Sequence, residues 1–177
     1  MEIRPSGSAP SRRAPAEYFS GAVWQDPIVD TPAPGNVRAS VVHFEPGART
    51  AWHTHPAGQT LYILAGVGRV QSQGGPVREV RAGDVVWFPP NEKHWHGAGP
   101  QTTMSHIALT GLHDGKYVDW LEKVSDQQYM AAAAGYRHCE PTGCHSLVMS
   151  ALSCPLCHVR QTRCVRNFAG LAASCVA

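Results

Sequence analysis

The sequence predicts an all-β fold, a sandwich or barrel followed by a short C-terminal helical segment. Apolar and polar residues alternate in short runs, the period of a half-buried strand. Clusters of Gly, Pro, Asn and Asp separate those runs at intervals of about eight to twelve residues. The chain holds 17 Gly and 14 Pro, which suits many tight turns better than long helices. At 177 residues it is long enough for one domain with a substantial core.

Residues 1–16 are rich in Ser, Pro, Arg and Ala and read as an N-terminal arm, ordered where it lies on the barrel or on a partner subunit. Residues 17–134 read as the barrel with its C-terminal helix. Apolar content begins at Tyr18 and Phe19, and residues 23–29 suit a short strand before the loop at 31–36. Residues 37–44 alternate, so that Ser40, Val42 and Phe44 share one face. Strands are expected at 51–55 and 60–64, with a bend at Gly66-Val67-Gly68 and a continuation over 69–73. A hairpin turn at 73–76 leads to strands at 77–80 and 85–88, separated by a turn at 81–84. Residues 94–97 and 102–110 complete the set. The period then changes. Ser125 followed by Gln128 has the spacing of a capping box, predicting a helix over 126–134 that Gly135 can end.

Residues 135–177 form a Cys-rich tail. They contain all six Cys and no convincing period, and read as a disordered or extraneous extension. Cys154-Pro155-Leu156-Cys157-His158 matches the spacing of c-type haem attachment, but neither export nor a haem fold is signalled. A zinc site from Cys139, Cys144, Cys154 and Cys157 is a further option for this tail.

Formal net charge is +2, unevenly spread. Residues 1–130 carry 11 Lys+Arg against 12 Asp+Glu, hence −1. A nearly neutral barrel argues against nucleic-acid or anionic-membrane partners. No basic-then-apolar leader and no membrane-length apolar run is present, and the barrel region has no Cys, so a cytoplasmic location is expected.

Chemistry concentrates in two stretches. In the first, His53, His55 and Gln59 share the parity of one strand face and present two imidazoles and an amide side by side. The second runs from Gly83 and delivers His94. Imidazole nitrogen and amide oxygen suit a borderline or hard divalent metal, one per chain; the set admits Mn(II), Fe(II), Co(II), Ni(II) or Zn(II). Three neutral imidazoles and a neutral amide leave such a centre at +2, which favours Lewis-acid, redox-neutral chemistry. His96 has the parity of His94. His106 lies inward on its own strand. Either is a candidate general base, because imidazole titrates near neutral pH.

The two stretches resemble the paired motifs of the cupin superfamily. Gly47, His53, His55, Gln59 and Gly66 match the first, with Gln where Glu is usual. Gly83, Pro89 and His94 match the second, with Asn91 where Gly is usual, a mild change because Asn tolerates a left-handed backbone. The resemblance implies a jelly-roll β-barrel. The runs from Glu45 to Leu61, Gly83 to Phe88, Glu92 to Ala98 and Val118 to Glu122 are closer still to the small bacterial manganese-dependent cupin hydroxynitrile lyases, over roughly residues 1–130. That resemblance implies His53, His55, Gln59 and His94 as ligands of Mn(II), and reversible cleavage of (R)-mandelonitrile-like cyanohydrins to an aldehyde and cyanide. It also implies that Ser40, Val42, Phe44, Leu61, Ile63 and Thr110 line an apolar pocket suited to a phenyl ring, in a homo-oligomer acting on a small molecule. A non-haem metal dioxygenase, a non-enzymatic small-ligand-binding cupin and a redox-neutral isomerase or decarboxylase are the competing readings.

Overall fold

A computed structural model describes residues 1, 3–5, 7–31 and 34–134. The expectations for 135–177, Gly135 and the Cys-rich tail included, lie outside them. The strands are β1 (Arg12–Arg13), β2 (Phe19–Ser20), β3 (Val23–Asp30), β4 (Val37–Phe44), β5 (Arg49–Thr50), β6 (His53–Thr54) and β7 (Gln59–Ser72). They continue with β8 (Arg78–Arg81), β9 (Val85–Phe88), β10 (His94–Ala98), β11 (Met104–Gly111) and β12 (Asp119–Trp120), followed by the helix α1 (Asp126–Tyr129).

The strands curl into a jelly-roll barrel of antiparallel pairs in the order β1-β3-β4-β11-β7-β10-β5-β2. β7 joins the two layers. Its first half pairs with β11 and β9, and its second half with β8 and β10. The bend expected at Gly66 to Gly68 is where the strand passes from one layer to the other without a break. Gly66 has φ 78°, and a Cβ there would stand 1.9 Å from the Thr103 carbonyl oxygen. Only glycine fits a strand that crosses its neighbour so closely. A register shift on β11 between Ser105 and His106 marks the same corner.

Several elements differ from expectation. The segment at 51–55 splits into β5 and β6, because Trp52 leaves the ladder to exchange backbone hydrogen bonds with Leu121 and Glu122. β2 and β12 are short strands that the pattern does not predict, paired with β5 and β6; Arg12, where the arm lies on β3, stands opposite Gln25, and Ala14 is buried. The helix stops after Tyr129. Its capping box forms, with Ser125 and Gln128 each bonded to the other's backbone. At the far end the Arg69 guanidinium donates to the Tyr129 carbonyl at 2.7 Å, and Ala134 returns to donate to Val77. Tyr129 is buried against Trp95, with its hydroxyl donating to the Ala98 carbonyl.

Phe44, Leu61, Ile63, Phe88 and Met104 centre the main core between the layers. Outward side chains on the β3–β4–β11–β7–β9 layer are unusually apolar: Trp24, Tyr62, Leu64, Val85, Trp87 and Leu109 are all exposed.

Gly66→Ala is expected to cost about 4 kcal/mol or more, because the Cβ meets backbone that cannot move aside. Gly74→Ala, at φ 78° with nothing within 4 Å of the new Cβ, should cost only the left-handed strain, about 1–2 kcal/mol. Denaturant midpoints of the two variants test this; equal losses would show that the corner is not the constraint.

Candidate metal centre

The donor groups come from four places that the sheet register brings together. His53 stands on β6 directly opposite His94, the first residue of β10. His55 follows in the turn after β6, and Gln59 opens β7. The ring centroids of His53 and His94 are 4.3 Å apart, those of His53 and His55 5.0 Å, and those of His55 and His94 5.6 Å. All four side chains are buried.

Backbone carbonyls set the tautomer of each imidazole. Nδ1–H of His53 donates to Ala51 at 2.9 Å, that of His55 to Tyr117 at 2.5 Å, and that of His94 to Glu92 at 2.7 Å. A neutral ring that donates from Nδ1 carries its lone pair on Nε2, so three lone pairs are delivered inward. His94 Nε2 lies 3.0 Å from Gln59 Oε1, and His55 Nε2 is buried without a partner. Two acceptors that close repel unless a cation sits between them. Ligand atoms bound side by side at about 2.1 Å to one metal are themselves roughly 3 Å apart, so the donors present fit a divalent first-row ion.

His96 and His106 adjoin this cluster. His106 Nε2 and His96 Nδ1 share a hydrogen bond of 3.2 Å, leaving His96 Nε2 and His106 Nδ1 buried and unpaired. Phe44 packs against both rings. His96 is nearer the donors than parity alone suggested: nitrogen atoms of His53, His94 and His96 lie within 4.8 Å of one another. His43, on the outward face, binds Asp26 and Ser105 and takes no part.

These groups open onto a cavity of about 300 Å³. His53, His55, Gln59, His96 and His106 line it, with His94 behind, stacked on Phe88 at 3.7 Å. Of the expected pocket residues, Ser40, Val42 and Thr110 are in the wall. Phe44, Leu61 and Ile63 are not: each turns inward as its parity requires, but deeper in the barrel, where it is sealed in the core at no more than 1% exposure. Their places are taken by an aromatic wall of Tyr18, Phe19 and Trp120, with Tyr18 stacked on Trp120 at 4.8 Å. Gln25, Arg38 and Tyr117 complete the rim. Aromatic character at Tyr18 and Trp120 was visible in the sequence, but no local period joins residues a hundred positions apart.

A jelly-roll barrel with a buried histidine cluster at one cavity defines a class of protein. The family described as Cupin domain matches residues 40–107. The chain belongs to the cupin family. It is 56% identical over 129 residues, 73% of its own length and 98% of the relative's, to an (R)-mandelonitrile lyase of Granulicella tundricola. Among solved structures, a cupin-like protein of Thermotoga maritima is 38% identical, with TM-score 0.64, covering 77% of this chain and all of that one. The polyketide cyclase of Streptomyces resistomycificus shares the fold alone, at 19% identity and TM-score 0.56 over 73% of this chain and 90% of that one.

Burial keeps these imidazoles uncharged. It holds His53 and His96 well below the ordinary value, helped by neighbouring rings, and lowers His55 against the opposing Tyr117 hydrogen bond. His94 and His106 are pushed down to about 3, burial again the main cause. Between about 6.5 and about 3 the unfolded chain therefore binds more protons than the folded one. The stability from neutral burial is complete above about 6.5 and is lost as pH falls toward 3. Chelator-treated protein should lose about 10 °C or more of thermal midpoint between pH 7 and pH 4.5, and the double variant His96→Gln, His106→Gln should lose less. A midpoint independent of pH over that range would contradict the charge state assigned to the cluster.

Proposed function

We propose that the chain is a metal-dependent hydroxynitrile lyase, cleaving (R)-mandelonitrile-like cyanohydrins reversibly to an aldehyde and cyanide. The observation that carries this reading is the convergence of four neutral donors and a bonded histidine pair on one cavity, in a chain 56% identical to a mandelonitrile lyase. Held by His53, His55, Gln59 and His94, a divalent ion, Mn(II) in our reading, supplies Lewis acidity toward the substrate hydroxyl. Gln59 contributes by being neutral, since a carboxylate there would remove one unit of positive charge.

The His96–His106 pair is the proton carrier we propose. One shared hydrogen bond between two neutral imidazoles leaves one free lone pair and one free N–H at the outer nitrogens. The lone pair takes the hydroxyl proton as the oxygen becomes a carbonyl. The C–C bond breaks, and its electron pair leaves with cyanide. The same nitrogen then returns that proton to cyanide. Aldehyde and hydrogen cyanide depart, and the pair is neutral again in its starting tautomers.

Metal-loaded protein should release cyanide from (R)-mandelonitrile. Gln59→Glu should retain metal yet react about ten- to a hundredfold more slowly, equivalent to roughly 1.4–2.7 kcal/mol of barrier. His96→Ala and His106→Ala should keep metal, and at least one should lose most activity. Metal content and cyanide release, measured on all four proteins at one pH, test this. Full-rate Gln59→Glu would end the charge argument, and a wild type inert with every ion named would end the lyase reading.

We also propose that copies self-associate through the outward layer face. Trp24, Tyr62, Val85 and Trp87 are exposed there, with Tyr62 directly opposite Val85. No helix among the described residues is long and apolar enough to cross a membrane, and a cytoplasmic setting fits a barrel region without Cys. Val85→Glu with Trp87→Glu should shift sedimentation from oligomer to monomer; a wild type that sediments as a monomer would refute the association.

A further inference from the structure

The cavity has room for more than an unsubstituted ring. A cavity of about 150 Å³ accepts benzene, and this one offers about 300 Å³. Among the described residues, Arg38 is the only Lys, Arg, Asp or Glu in its wall. Its guanidinium is held in place: Nε and Nη2 donate to Asp30 Oδ2 at 3.3 and 2.8 Å, and the group lies 4.0 Å above the Tyr117 ring. The Tyr117 hydroxyl donates to the other Asp30 oxygen at 2.9 Å. Asp30 thus occupies two of the five guanidinium donors, and Nη1 has no hydrogen-bond partner among the described residues.

Register places this group relative to the reaction. Arg38 stands opposite Thr110, and Thr110 opposite Gln59, so the donor cluster and Arg38 lie across two strand spacings, about 10 Å between backbones. An aryl ring on the Tyr18–Trp120 wall, with its reacting carbon at the donors, has its far edge free to approach Arg38. Arg38 is half-exposed, so an anion meeting it there keeps water on one side and avoids the cost of full burial.

We infer that Arg38 is a specificity residue that binds a carboxylate on the far side of the substrate ring. Resting on the lyase reading, this names the substrate class as aromatic cyanohydrins, and their aldehydes, that carry a carboxylate para to the reacting carbon. Fixed guanidinium donors in an otherwise uncharged wall give orientation as well as attraction.

The test uses two unreactive alcohols, so that it reads binding and not turnover. Affinities of 4-carboxybenzyl alcohol and benzyl alcohol for the metal-loaded full chain are measured by calorimetry. The carboxylated ligand should bind at least tenfold more tightly. The ratio should fall toward one in Arg38→Gln and rise in Asp30→Asn, which keeps an acceptor for the guanidinium but removes the negative charge that offsets it; a merely structural loss would not raise it. A wild-type ratio near one, a ratio that survives in folded Arg38→Gln, or no saturable binding of either alcohol overturns the inference. If Arg38→Gln does not fold, Asp30→Asn decides alone, and a ratio that does not rise overturns it. If the ratio holds while no cyanohydrin is cleaved, the lyase reading fails and the carboxylate site stands.

Discussion

Nδ1–H of His53, His55 and His94 each ends on a backbone carbonyl, and those carbonyls belong to Ala51, Tyr117 and Glu92. Two of them lie two residues before the histidine they hold, so the local strand geometry that orients the ring also chooses its tautomer. The third comes from the segment just before β12, sixty-two residues away, and ties the C-terminal end of the barrel to the donor cluster. With the protons committed outward, every inward nitrogen is an acceptor. The approach of Gln59 Oε1 to His94 Nε2 at 3.0 Å suits a cation shared between them.

That approach depends on a continuous β7. Its first residue, Gln59, contributes a donor to one layer, and its second half pairs with β10, which begins at His94. A break at the corner would let the two halves drift and would separate the amide from the imidazole. Gly66 is the point at which this continuity is geometrically possible, so a residue with no side chain fixes the distance between two functional ones.

Much of this was legible from period and spacing. Alternation over 37–44 locates β4 to the residue, the turn-bounded apolar run 85–88 locates β9, and strand parity agrees with the burial of His53 and His94, whereas His55 is buried from a turn where strand parity has no meaning. Asn91, in place of a motif glycine, indeed takes φ 62°. What parity does not encode is depth. Ser40, Val42 and Phe44 share a face, yet the first two reach the cavity and the third closes the core beneath it. Nor does local pattern reveal contacts between distant segments. The Tyr18–Trp120 stack and the Arg38–Asp30–Tyr117 cluster assemble only when segments about eighty to a hundred residues apart meet in the folded barrel. The single-turn helix follows the same logic: its cap is local and readable, whereas its end is imposed by Arg69 from another strand.

The cluster is also an energetic liability for the bare chain. Five imidazoles are buried in their neutral form, several of their nitrogens lack partners among the described residues, and an amide oxygen faces a lone pair. Each unpaired buried acceptor costs about 1–3 kcal/mol of desolvation that no internal hydrogen bond returns. The surrounding packing of Phe44, Phe88 and Trp120 on the rings must offset this if the barrel is to fold at all. A cation bound by those same acceptors converts the liability into affinity, so that its binding free energy is in part folding free energy. Neutrality of the donors therefore serves two ends. It leaves the bound ion's positive charge undiminished for substrate, and it lets the empty cluster remain folded, uncharged, at neutral pH.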